Sequence, residues 1–152
     1  MKEILIEQLY NLVKIPYSYF FKKETLWHFK KEDLLSFPSD SLGHSLGCFL
    51  KNNDFELQES LENHDVFHVL TGIGTTVIHE IEMQFYLFGN GKKSLFLLLV
   101  LFVGVLFYPS KFPSFIRKYK KGKLAHKFYD ISFLNLLNQP ISNIRFTFNI
   151  QL

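Results

Sequence analysis

Residues 54–88 read DFELQESLENHDVFHVLTGIGTTVIHEIEMQFYLF. Leu57, Leu61, His64 and His68 fall at i, i+4, i+7 and i+11, which is one face of a helix. The leucines mark that face as inward, so the pattern predicts a helix from Asp54 to about Leu70. Gly72 and Gly74 break it, and Thr75 or Thr76 can cap a second helix that runs to Phe88. The stripe of the second helix is Ile78, Ile81, Phe85 and Phe88. Glu80 borders that stripe on the side of Val77, Gln84 and Leu87. His79 and Glu82 project to the other side, with Tyr86.

Two histidines therefore continue a core stripe. A buried imidazole costs free energy unless something satisfies it. His64 and His68 are one turn apart, the spacing of helical histidine metal sites. Asp65 can ligate the ion directly or hold an imidazole in one tautomer. Glu80 is the inward carboxylate of the second helix. Together His64, Asp65, His68 and Glu80 form the candidate metal site between two helices. Two imidazoles and two carboxylates suit zinc, and also manganese or iron(II). Without a thiolate, softness does not separate them. A His-x-x-x-His pair alone is weak, being more often a hydrogen-bonded core pair or a surface accident. His28, His44 and His126 are isolated and receive no role.

Outward from this stretch, the chain reads as a string of helices. Lys2–Val13 has helical spacing and ends before Pro16. Pro38-Ser39-Asp40 offers an N-cap for a helix through Leu50. Gly89-Asn90-Gly91 is a turn. Leu95–Tyr108 is the most apolar run, fourteen residues without a charge. It would cover roughly 21 Å against ~30 Å of bilayer hydrocarbon. We expect a buried core helix there, with a membrane-dipping helix as the alternative. Pro109 stops it. Phe112–Lys121 and Ile131–Leu137 read as further helices, and Ile144–Ile150 alternates like a short strand. The 152 residues fit one helical domain. Residues 1–35 read as an N-terminal helix and connection, ahead of the main helical body over 36–150.

Eighteen Phe and seven Tyr exceed what so small a core needs. They suit an aromatic-lined cavity, a membrane-facing surface, or a drift in base composition. The net charge is only +3, but residues 54–65 carry five acids and no Lys or Arg, and 111–127 carry seven Lys/Arg and no acid. The acids from Asp54 to Glu62 read as a solvated face. The basic block suits an anionic membrane surface, or again a solvated helix face. Cys48 is the only cysteine, which excludes an internal disulfide framework. It reads as a small core residue and points to a reducing compartment. Residues 1–14 contain Glu3 and Glu7 and lack an apolar core, unlike a targeting peptide.

At His64-Asp65-Val66-Phe67-His68, then eleven residues, then Glu80, the sequence resembles a known family, the fourth of the ubiquinone (coenzyme Q) biosynthesis proteins. Phe37-Pro38-Ser39-Asp40-Ser41-Leu42-Gly43 resembles the segment before its first core helix. Val69-Leu70-Thr71-Gly72 and Gln84-Phe85 resemble the surroundings of its motif. Tyr119-Lys120-Lys121-Gly122 and Pro140-Ile141-Ser142-Asn143-Ile144-Arg145 resemble its closing helices. His79 stands where the family commonly has a small residue, and Thr75-Thr76 replaces a more usual Asp-Pro.

The resemblance implies an all-α fold with a metal site, zinc first and manganese, iron or magnesium as alternatives. It implies a polyprenyl lipid or quinone precursor bound in an apolar groove, and a peripheral place on a membrane. The cytoplasmic face of that membrane is the expected location, ahead of a mitochondrial matrix-side one. Other quinone biosynthesis enzymes and a second copy of the chain are the implied protein partners. Two function classes follow. The first is a metal-dependent lyase performing oxidative C1 decarboxylation of a polyprenyl hydroxybenzoate. Its catalytic residues beyond the ligands are unassigned. The second is a non-catalytic lipid-binding scaffold or carrier. A histidine-aspartate phosphohydrolase using His44 and Asp130 is a distant third. Nucleic-acid binding by 111–127 lacks any recognised module.

Overall fold

The computed structural model describes residues 27–57 and 62–152. Among them are seven α-helices and no strand. They are α1 (Lys31–Leu35), α2 (Leu42–Asn52), α3 (Glu62–Thr71), α4 (Val77–Gly89), α5 (Leu95–Phe107), α6 (Phe112–Leu124) and α7 (Ile141–Thr147). The fold is all-α, as the periodicity predicts. The helix predicted over Lys2–Val13 lies outside the described residues.

Local chemistry accounts for most of the boundaries. The hydroxyls of Ser41, Thr76 and Ser94 accept from the backbone N–H three residues on, starting α2, α4 and α5. The cap of α2 is thus Ser41 rather than a residue of 38–40. Pro109 sits after α5, and Pro113 lies in the first turn of α6, where its missing N–H costs nothing.

Several expectations are corrected. α3 begins at Glu62 rather than Asp54. Asp54 takes a positive φ of 55°, and Phe55 N–H bonds back to Leu50 O at 2.8 Å, closing off α2. Leu57 is therefore not on the histidine helix. Glu62 does not belong to a solvated acidic face. It is buried, and its Oε1 accepts from Trp27 N–H at 3.2 Å. Ile131–Leu137 forms only a 3-10 turn, Leu134–Leu136, although Phe133 and Leu137 are buried anchors. The tail is helical rather than extended, because Pro140 starts α7 and buries Ile144 while Phe146 points outward. Cys48 is half-buried rather than in the core. The apolar helix α5 is not a buried core helix: only Leu97 and Gly104 of its thirteen residues are buried.

Two compact units divide the chain, one containing Ile73–Asp130 and the other Ile131–Leu152 with the described part of Lys23–Gly72. In the first, α4 and α6 pack backbone against backbone. A methyl group on Gly122 would run into the Tyr86 carbonyl oxygen, and one on Gly89 into that of Tyr119. Only glycine permits this approach. Asn90, at the end of α4, locks the pair. Its Nδ2 donates to the carbonyls of Gly122 and His126 at 3.3 and 3.0 Å, and its Oδ1 accepts from Phe128 and Tyr129 N–H at 2.9 and 3.2 Å. Phe85 and Phe115 stack at 4.9 Å beside Ile81, and Val100 and Leu101 of α5 pack onto them.

In the second unit, Leu42, Leu46 and Leu50 of α2 and Val66 and Leu70 of α3 are wholly buried. An antiparallel bridge pairs Ser41 with Pro140. Beside it, Leu42 N–H donates to Gln139 O and Ile141 N–H to Asp40 O, each at 2.9 Å, so the starts of α2 and α7 are tied together.

Gly122→Ala gains helix propensity but forces backbone atoms apart. We expect a net loss of about 1–3 kcal/mol in denaturant unfolding. The buried Tyr86 hydroxyl has no hydrogen-bond partner among the described residues, and burial pushes its pKa from 10.0 to about 12. The raised value means this residue's contribution is intact below pH 10 and is lost as pH climbs through 12. Tyr86→Phe should be near neutral at pH 7 and should flatten the alkaline limb of a stability-against-pH curve.

Candidate functional site

α3 carries the histidine pair. Its inward face is set by Val66, Phe67 and Leu70, all buried. His68 shares the burial at 3% exposure, while His64, one turn earlier, is half-buried. The two rings meet edge to face with centroids 4.8 Å apart. Phe49 of α2 stacks flat on His68 at 5.6 Å and 12°, and Phe55 closes edge-on against Phe49 at 6.2 Å. The His68 ring is thereby held on one face by an aromatic plane, which limits its χ2 freedom.

Asp65 lies beside His64. Its Oδ1 is 3.7 Å from His64 Nδ1, with both side chains mostly shielded from solvent. That separation is too long for a hydrogen bond but short enough for electrostatic influence on where the imidazole carries its proton.

The end of α3 is secured by α7. Arg145 Nη2 donates to Val69 O at 2.8 Å and Nε to Leu70 O at 3.0 Å. These carbonyls belong to the last turn and have no intrahelical partner. A cation is also the right charge for a helix C-terminus. Burial lowers the guanidinium pKa from its ordinary value, yet arginine stays charged at any working pH. Thr71 adds a hydroxyl bond to Phe67 O at 2.7 Å, and Gly72 leaves the helix at a φ of 65°.

Glu80 is carried in the first turn of α4, where a carboxylate complements the helix dipole, and is half-buried. His79 is engaged locally, its Nδ1 lying 3.0 Å from Thr76 Oγ1. Glu82 is buried and accepts from Ser114 Oγ at 2.5 Å. His79 and Glu82 share a side of α4, lining one cavity, as the helical wheel predicts. Tyr86 points into packed interior.

Sequence reading missed Phe49 and Arg145. Phe49 stands one position from the buried Leu50 and carries no signal of its own. Arg145 lies in the Pro140–Arg145 segment already singled out by resemblance, so only its purpose was hidden.

No protein-family profile matches the chain, and no curated protein matches it. Among solved structures, a Nostoc punctiforme protein titled as a candidate ubiquinone biosynthesis protein is similar, with a TM-score of 0.68 and 23% identity. The match covers 97% of this chain and 82% of that one. It establishes the shared helical fold.

Arg145→Ala should lower unfolding free energy by about 1.5–3 kcal/mol, the usual cost of losing hydrogen bonds to a charged group. Amide exchange should quicken first in the last turn of α3, which hydrogen-exchange mass spectrometry would resolve.

Proposed function

We propose that His64, His68 and Glu80 hold one divalent cation, with Asp65 steadying His64, and that the chain serves quinone assembly on a prenylated aromatic substrate. The observation that carries this reading is the imidazole pair one turn apart on α3, the inner ring seated on Phe49. The donor chemistry fits: two neutral nitrogens and one carboxylate suit zinc, manganese or iron(II) and leave coordination positions for substrate. The likeness in fold to a protein titled for ubiquinone biosynthesis supports the substrate class, as does the spacing from His64 to Glu80.

Within this reading each residue has a task. Asp65 favours a proton on His64 Nδ1 and leaves Nε2 to the cation. Phe49 keeps the His68 ring from turning away. Glu80 supplies the negative charge that two imidazoles lack. A ring acid with a neighbouring phenol would bind through its two oxygens. When bound, the cation supplies Lewis-acid polarisation of those oxygens. The reaction class is oxidative C1 decarboxylation: the C1 carboxylate leaves as carbon dioxide, a hydroxyl from water takes its place with release of one proton, and an external two-electron oxidant accepts the two electrons.

Titration calorimetry with zinc and manganese, backed by elemental analysis, tests the ligand set. His64→Ala, His68→Ala and Glu80→Gln should each weaken binding by at least about tenfold, and Asp65→Asn by roughly tenfold. Affinity should fall as the pH is lowered, because every ligand must be deprotonated to bind the cation. Unchanged metal affinity in His64→Ala would sink the proposal.

A further inference from the structure

α5 contains no polar side chain, yet it turns a continuous apolar stripe outward. Leu95, Leu98, Leu99, Phe102, Val105 and Leu106 are exposed, Leu95 by 87% and Phe102 by 66%. Their spacing of i, i+3, i+4, i+7, i+10 and i+11 places them on one face. Val100 and Leu101 pack on the Ile81–Phe85–Phe115 cluster, and Leu97 and Gly104 are buried. So large a contiguous apolar face marks an interaction surface.

The flank of that face is basic. α5 bends by 105° into the segment Pro109–Leu124. Residues 111–127 carry seven Lys/Arg and no acid. Lys111, Arg117, Lys120 and Lys123 are exposed, and none joins an ion pair among the described residues. At the elbow lies a cavity of about 420 Å³ whose polar lining includes Thr76, His79, Glu82, Lys111, Ser114 and Arg117. Glu82 is already engaged by Ser114, and the two cations outnumber it.

No helix among the described residues is long and apolar enough to cross a membrane. At thirteen residues α5 spans about 20 Å. A helix lying in the interface plane, apolar side down and basic residues beside it, needs no such length. The geometry points to a membrane-docking face: α5 lies in the surface of an anionic bilayer, and the elbow cavity takes a lipid phosphate between Lys111 and Arg117. A second copy of the chain is the poorer occupant, because a self-complementary contact there would bring two unneutralised basic flanks together. The inference stands apart from the metal reading.

Co-sedimentation of the full chain with vesicles tests it. Equal parts phosphatidylglycerol and phosphatidylcholine should retain the protein, pure phosphatidylcholine far less, and high salt should weaken retention at least tenfold. Phe102→Glu with Leu98→Glu should cost at least tenfold on anionic vesicles while circular dichroism stays unchanged. Arg117→Gln should cost more than Lys120→Gln. His64→Ala should bind as the parent does, so a failed metal site and a failed docking face are told apart. Undiminished retention of the Phe102→Glu, Leu98→Glu protein would overturn the assignment. So would a dimer in light scattering that these substitutions split while vesicle binding persists.

Discussion

The last carbonyls of a helix have no partner of their own, and in a helix of ten residues they are a large share of the whole. α3 is such a helix, and it carries both histidines. Arg145 answers Val69 and Leu70 with two charged hydrogen bonds. That interaction joins three things that are far apart in sequence: the start of α2, pinned to α7 through the Ser41–Pro140 bridge, the end of α3, and the ring of His68 resting on α2 through Phe49. Loosening Arg145 would free the helix on which the imidazole spacing depends. The same residue costs something to bury, as its lowered pKa records, so the cap is a compromise between desolvation and satisfaction.

The other unit solves its packing differently. α4 and α6 approach until their backbones touch, and Asn90 closes the seam with donors and acceptors facing one way. Because this pair and the aromatic cluster around Phe115 form the interior, α5 is needed for only one of its sides. The other side remains apolar with nothing among the described residues packed to bury it. The exposed stripe is thus a consequence of a core completed by glycine contact, where a third wholly enclosed helix would otherwise be required.

Sequence periodicity read the helices well where local chemistry sets their ends. Thr76 caps α4, Gly89-Asn90-Gly91 ends it, and Pro109 stops α5, all visible as residue types. Reading failed where the decision is made elsewhere in the fold. Leu57 shares the spacing of His64 and His68 but not their helix, because Asp54 leaves the helical region. Ile144 and Ile150 alternate like strand residues, yet Pro140 and the bridge to Ser41 start a helix. The exposure of α5 could not be read at all: thirteen apolar residues look alike in sequence whether they face a core or solvent. At the site, the histidine pair, Glu80 and the separateness of His79 and Glu82 followed from a helical wheel. Phe49 did not, since an aromatic gives no hint of the ring it will stack upon.

The pairing of Arg145 with Leu70 spans 75 residues. On a ribosome, that distance is time. At typical elongation speeds roughly 4–15 s pass between the synthesis of α3 and the synthesis of its cap. During that interval Ile73–Asp130 emerges with all the partners that Gly122 and Asn90 require. The nascent chain therefore completes its glycine-packed unit, with Glu80 on α4 inside it, before the histidine helix receives its final constraint, and His64 and His68 are organised last.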